Sequence, residues 1–195
     1  MDASFKINRR SFLQAAIATA AAAGTGVACS RNRTPWRFFS VDEARALAAM
    51  SDQIIPPDQD PGAAWAGVVN YIDRQLCRPF QNLQKLYRQG LASVDQSSRS
   101  AYGKFFADLD SDQQVALLRA LEFGHVQREI WKEISSQEFF ATVVDHAMQG
   151  YYGDPRHGGN LDGVSWKMLG IPYPPIRGRL PKATALVRAT ETLQG

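Results

Sequence analysis

Apolar residues recur at intervals of three and four along residues 41–148, and no stretch alternates strictly, which predicts helices rather than strands. The first helix opens at Ser40-Val41-Asp42-Glu43, a capping-box pattern, and places Val41, Ala44, Leu47, Ala48 and Ile55 on one face. Pro56-Pro57 ends it, because proline lacks an amide donor and disfavours helix in the residue before it. A second helix is predicted from Pro61 to Leu76 on the stripe Trp65, Val68, Val69, Ile72 and Leu76, with Pro61 in the first turn and Pro79 closing it. Leu83, Leu86, Tyr87, Leu91 and Val94 predict a third helix over about residues 83–94. The fourth starts at Ser111 and buries Val115, Leu118 and Leu121, with the acids Asp110 and Asp112 complementing the helix dipole. Ser135-Ser136-Gln137-Glu138 is a second capping box, opening a helix that carries Phe139, Phe140, Val143, Val144, Ala147 and Met148.

After Gln149 the texture changes. Residues 150–160 hold a run of glycines, with Gly153, Gly158 and Gly159 around the rigid Asp154-Pro155 step, so close backbone approach is expected there. A short helical piece from Val164 to Leu169 stops at Gly170, and the segment Ile171–Leu180 is rich in proline and arginine. The expected fold class is all-α: a single bundle of five or six helices followed by a Gly/Pro-rich loop region. Its domain spans residues 40–175, after a linker at 29–39 whose Trp36, Phe38 and Phe39 tuck onto the domain, and before a tail at 176–195.

Residues 1–28 read differently. Arg9-Arg10-Ser11-Phe12-Leu13 precedes an alanine-rich run without charge, the form of a twin-arginine export signal. Its functional residues are Arg9, Arg10, Phe12 and Leu13, its receptor is the Tat translocase, and the expected location is the periplasm. Alanine contributes little transfer energy, so cleavage is favoured over an uncleaved membrane anchor. Cleavage after Ala28 would put Cys29 at the new N-terminus, where lipidation is an alternative, although Gly26 stands where a lipoprotein signal has a leucine-like residue.

The full chain of 195 residues has 22 Lys+Arg and 19 Asp+Glu. Removing the signal takes away Lys6, Arg9, Arg10 and Asp2, so the remaining 19 and 18 nearly cancel. A nearly neutral domain gives no basic footprint for nucleic acid. Apart from Cys29 there is only Cys77, expected to be buried as a small apolar residue, with a disulfide to another subunit as the alternative.

The sequence contains no Cys-x-x-Cys-His, no cysteine set for an iron–sulfur cluster, no Gly-x-Gly-x-x-Gly, no Gly-x-Ser-x-Gly and no His-Glu-x-x-His. The histidines are His125, expected at the surface or in a helix cap, His146 on the fifth helix, and His157 in the glycine-rich loop. A metal site can be drawn from His146, His157, Asp154 and Asp145, although histidines at such spacing more often serve structural hydrogen bonds. Two readings stand for Gly153, Asp154, Pro155, Arg156, His157, Gly158, Gly159, Asn160 and Trp166. One is an ordered surface for a partner chain; the other is a loop folded onto its own bundle through Tyr151, Tyr152 and Trp166.

Several segments in one order carry a resemblance: Ser51–Asp58, Pro61–Ala63 through Val69–Asp73, Tyr87–Leu91, Gly150–Asn160, and Trp166–Pro172. Together they resemble the gluconate 2-dehydrogenase subunit 3 family, and Gly-Asp-Pro-Arg-x-Gly-Gly-Asn is the most specific part. The resemblance implies a small, non-catalytic subunit of a membrane-associated sugar or polyol dehydrogenase. Its implied partners are an FAD-containing flavoprotein of the glucose–methanol–choline type and a multihaem cytochrome c. The chain itself would hold no cofactor, and its signal would escort the signal-less flavoprotein. Two alternatives remain: a periplasmic lipoprotein or binding module anchored at Cys29, and a free-standing metal-dependent enzyme using His146 and His157.

Overall fold

The computed structural model describes residues 35–172, and within them every regular element is helical. The signal residues Arg9, Arg10, Phe12 and Leu13, together with Cys29 and the tail, lie outside the described residues. Helix α1 spans Val41–Ile54 and is capped as its sequence predicts: Ser40 Oγ accepts the Glu43 amide, and Glu43 Oε2 accepts the Ser40 amide. Its buried arc is Ala44, Ala46, Leu47, Met50 and Ser51, so Val41 faces solvent. The arc is wide because α1 is packed on by four other helices.

The second helix departs from expectation. Helix α2 runs Val68–Leu76 and not from Pro61. The backbone leaves the helical ladder at Gly67, whose amide bonds Ala64 O (3.2 Å), while the Val68 amide reaches back to Ala63 O (3.1 Å), three and five residues earlier rather than four. Gly67 then sits in the left-handed region (φ +80°), where a side chain would be strained, and the chain re-enters helix at Val68. This break leaves Trp65 at the surface, 51% exposed, rather than in the predicted stripe.

Helix α3, Gln84–Tyr102, continues two turns beyond the predicted end at Val94. Beyond Val94 its one large apolar residue is the exposed Tyr102, and these turns pack instead through small serines with satisfied hydroxyls. Ser97 Oγ accepts the Trp131 indole N–H at 3.0 Å, and Ser98 Oγ donates to Lys104 O at 2.7 Å. Helix α4, Ser111–Phe123, is capped by Asp110, which accepts the Gln113 amide, and it buries Leu117, Leu118 and Leu121. Helix α5, Ser136–Tyr152, is capped by Ser135 Oγ on the Glu138 amide. It buries Phe139, Val143, His146, Ala147, Gly150 and Tyr151, while Met148 lies outside the core. Helix α6 is the short Val164–Met168.

Helices α1 and α5 each contact the other four long helices, so they form the centre of the bundle. Leu47 and Met50 of α1 and Phe139, Val143 and Ala147 of α5 are fully buried members of one hydrophobic core. Ahead of α1, Phe39 is buried and Trp36 and Phe38 pack against the same core. Cys77 is a free, half-buried thiol at the C-terminal cap of α2, not a fully buried helix residue. Among the described residues no helix is long and apolar enough to cross a membrane.

Candidate functional site

The glycine-rich loop leaves α5 at Gly153 and is built largely from its own polar groups. Asp154 caps a single 3-10 turn, Pro155–His157, by accepting the Arg156 amide at 3.0 Å. The same carboxylate pairs with the Arg156 guanidinium, which holds its pKa down to about 2. Arg156 and His157 face solvent, and Asp154 and Pro155 are half-buried. The next three residues point the other way. Asn160 is completely buried in the left-handed conformation, its Nδ2 donating to Gly153 O (2.8 Å) and its Oδ1 accepting the Ser165 amide (3.0 Å). This one side chain ties both ends of the loop together.

The loop is also fastened to the bundle. Asn70 Nδ2 of α2 donates to Gly158 O at 2.7 Å, and the Leu161 amide donates to Ala66 O at 2.9 Å. Gly158 has to be glycine: at φ +103° a Cβ would lie 2.8 Å from both Arg74 Cδ and Asn70 Nδ2. Gly159 lies so close to the Gly150 carbonyl that a Cβ there would overlap it. Trp166 donates its indole N–H to Tyr152 O (2.8 Å), and Tyr151 Oη donates to Pro61 O (2.8 Å). The fold of the loop onto its own bundle through Tyr151, Tyr152 and Trp166 is therefore observed, with Gly158, Gly159 and Asn160 as its inner scaffold.

Between this loop and α2 lies an open cleft of about 570 Å³, lined by Asn70, Arg74, Pro155, Gly158, Gly159, Leu161, Asp162 and Lys167. Arg74 enters it with its Nε buried and without a hydrogen-bond partner. Its lining holds two cations and one acid, Asp162, which is itself held at positive φ (55°). The sequence assigns no chemical role to Arg74 or to Lys167, although Lys167 lies within the segment Trp166–Pro172. Only the packing of α2 against a loop some eighty residues later brings them together.

The predicted metal ligands do not converge. Among the described residues no three of His, Cys, Asp and Glu gather closely enough to hold a metal ion. His146 is buried, with Nδ1 sharing a 2.9 Å hydrogen bond with Tyr87 Oη, and its ring lies parallel to Phe80 and Tyr87. Burial lowers its pKa, and the neighbouring Asp145 offsets this only in part. Burial also raises the Tyr87 phenol, with a further push from Tyr71, so both members of the pair are held neutral. His157 stands on the exposed loop, and His125 is exposed just beyond α4, where its amide closes the helix end on Ala120 O.

A second polar device lies at the entrance to the domain. Asp73 of α2, 2% exposed, accepts the amides of Arg37 (2.8 Å), Phe38 (2.9 Å) and Phe39 (3.1 Å). Three backbone donors replace the water that the buried carboxylate has lost. On the outer side Arg88 bonds Glu43 and Phe38 O and lies over the Phe38 ring. The segment joining the N-terminal region to α1 is thus fastened to α2 and α3.

Comparison with known proteins gives two matches. The profile of the family described as gluconate 2-dehydrogenase subunit 3 matches residues 41–172, and that of the twin-arginine translocation pathway signal sequence matches residues 6–26. No curated protein and no solved structure matches the chain.

Proposed function

Because this chain belongs to the gluconate 2-dehydrogenase subunit 3 family, we propose that it is the non-catalytic small subunit of a membrane-associated, FAD-dependent sugar or polyol dehydrogenase. It is the structural partner of a flavoprotein subunit of the glucose–methanol–choline type and the export escort for that subunit, which carries no signal of its own. FAD resides in the flavoprotein and haem c in a multihaem cytochrome c subunit that takes the electrons. The complex, and not this chain, associates with the inner membrane.

The reading is carried by one conjunction: an accessory-subunit domain over residues 41–172 joined to a twin-arginine signal over residues 6–26. A Tat signal implies export across the cytoplasmic membrane to the periplasm or envelope. The pathway accepts folded cargo, so a partner that has already bound its flavin can travel with the signal-bearing chain. The compact helical domain, with its loop pinned from both ends by Asn160, is a stable platform for such a partner.

The double substitution Arg9→Lys, Arg10→Lys tests this reading. With both proteins co-expressed, the flavoprotein and its dehydrogenase activity are expected to remain in the cytoplasmic fraction. A flavoprotein that still reaches the periplasm in the double variant would refute the escort role.

A further inference from the structure

The Arg74–Lys167 cleft is the one place in the described structure where unpaired positive charge, a buried orphan donor and exposed apolar side chains coincide. Neither Arg74 nor Lys167 has an ion-pair partner among the described residues. The Arg74 stem occupies the space that a side chain at position 158 would need. A buried N–H without an acceptor is rare in native proteins and unfavourable, and on a guanidinium more so. Arg74 is therefore held in place without an ion-pair partner among the described residues, and Asp162, the one acid in the cleft lining, forms no salt bridge with it.

The lining indicates what supplies the counter-charge. Leu161, 49% exposed, lines the cleft, and its amide is bonded to Ala66 O. On the other side Lys167 is followed by exposed Met168 and Leu169. Asn160 and Asp162, the only non-glycine residues at positive φ among the described residues, hold the intervening backbone in shape. A small carboxylate in an open cleft would leave these apolar side chains in water. A protein surface that brings a carboxylate to the cations and apolar groups to Leu161 covers both, and arginine is enriched at the energetic centres of interfaces.

We propose that the Arg74–Lys167 cleft, with Leu161 in its lining, is the docking surface that receives an acidic side chain of the partner flavoprotein. The inference rests on the subunit role proposed above. It places the contact on α2 and α6 beside the glycine-rich loop, whereas Gly158, Gly159 and Asn160 shape the cleft from within.

The test uses the full chain co-expressed with the flavoprotein subunit, with affinity measured on the purified components at two salt concentrations. Lys167→Glu and Arg74→Glu are each expected to weaken association by at least about tenfold, with the loss greatest at low salt. Arg119→Glu, an exposed reversal on α4, is expected to leave it unchanged. A photo-reactive residue at position 161 is expected to cross-link to a flavoprotein peptide containing Asp or Glu, and reversing that acid to Lys should restore binding to Lys167→Glu. Should Arg74→Glu fail to fold, Lys167→Glu and the cross-link decide the matter. If the wild-type pair does not associate at all, the subunit role itself fails. If it associates and a folded Lys167→Glu chain binds as tightly as wild type, the docking surface alone is overturned.

Discussion

His146 is held both by ring stacking and by a hydrogen bond. One face lies 4.4 Å from the Phe80 centroid with the planes 2° apart, the Tyr87 ring lies parallel at 5.8 Å, and Nδ1 is bonded to Tyr87 Oη. Such a site favours the neutral imidazole, and its pKa is lowered on folding. In the unfolded chain the same group titrates near the ordinary value of about 6.5. Below that pH the unfolded state binds more protons than the folded one, so this contribution is complete above about pH 6.5 and is lost as the pH falls. Urea unfolding at pH 7.5 and 5.5 is expected to show lower stability at the acid pH, and His146→Leu should reduce that difference while lowering stability at both values. An unchanged pH difference in the variant would contradict the assignment. The burial of His146 was legible in the sequence, because it lies seven residues after Phe139, three after Val143 and four before Gly150. A stripe drawn only through apolar residue types passes over it.

At the scale of the helix, local signals and distant contacts decide different things. The caps at Ser40, Asp110 and Ser135 are formed by residues three apart, and the sequence shows them directly. The start of α2 is set instead by the left-handed Gly67, a backbone conformation that apolar periodicity in the 61–76 window does not register, while the turn before it is tied to Ile55 and Asp52 through the amides of Ala63 and Ala64. The far end of α3 was hidden for a related reason: serines become core residues only when Trp131 and Lys104 are there to use their hydroxyls. The pairing of α3 with α5 depends on Gly90, where the Phe139 ring occupies the space of the missing side chain. Alanine normally favours a helix over glycine by about 1 kcal/mol. Here the added methyl group would overlap the ring, and overpacking of this kind costs about 1–3 kcal/mol. Gly90→Ala is therefore expected to destabilise the protein in a denaturant titration, and a gain in stability would show that the two helices separate freely.

For the molecule as a whole, the sequence displayed the parts more readily than their assembly. Its all-helical character and the glycine-rich segment were visible as patterns. The cleft was not, since it joins Asn70 and Arg74 on α2 to the glycine-rich motif and a short helix far along the chain, and sequence spacing does not bring those segments together. The same limit applied to the Asp73 clamp, in which a side chain on α2 meets backbone amides thirty-four to thirty-six residues earlier.

That clamp has a mechanical consequence. A chain exported through its N-terminus is pulled from that end, and the force enters the domain at Arg37–Phe39. There three hydrogen bonds converging on one carboxylate share the tension with the packed side chains of Trp36, Phe38 and Phe39. Hydrogen bonds to a charged group contribute about 1.5–3 kcal/mol each, so the clamp acts as a strain relief for the fold behind it. Pulled from the N-terminus in an optical trap, the wild-type domain is expected to resist until the clamp gives way, whereas Asp73→Ala should begin to yield at lower force. Equal yield forces for the two proteins would mean that the tension bypasses Asp73.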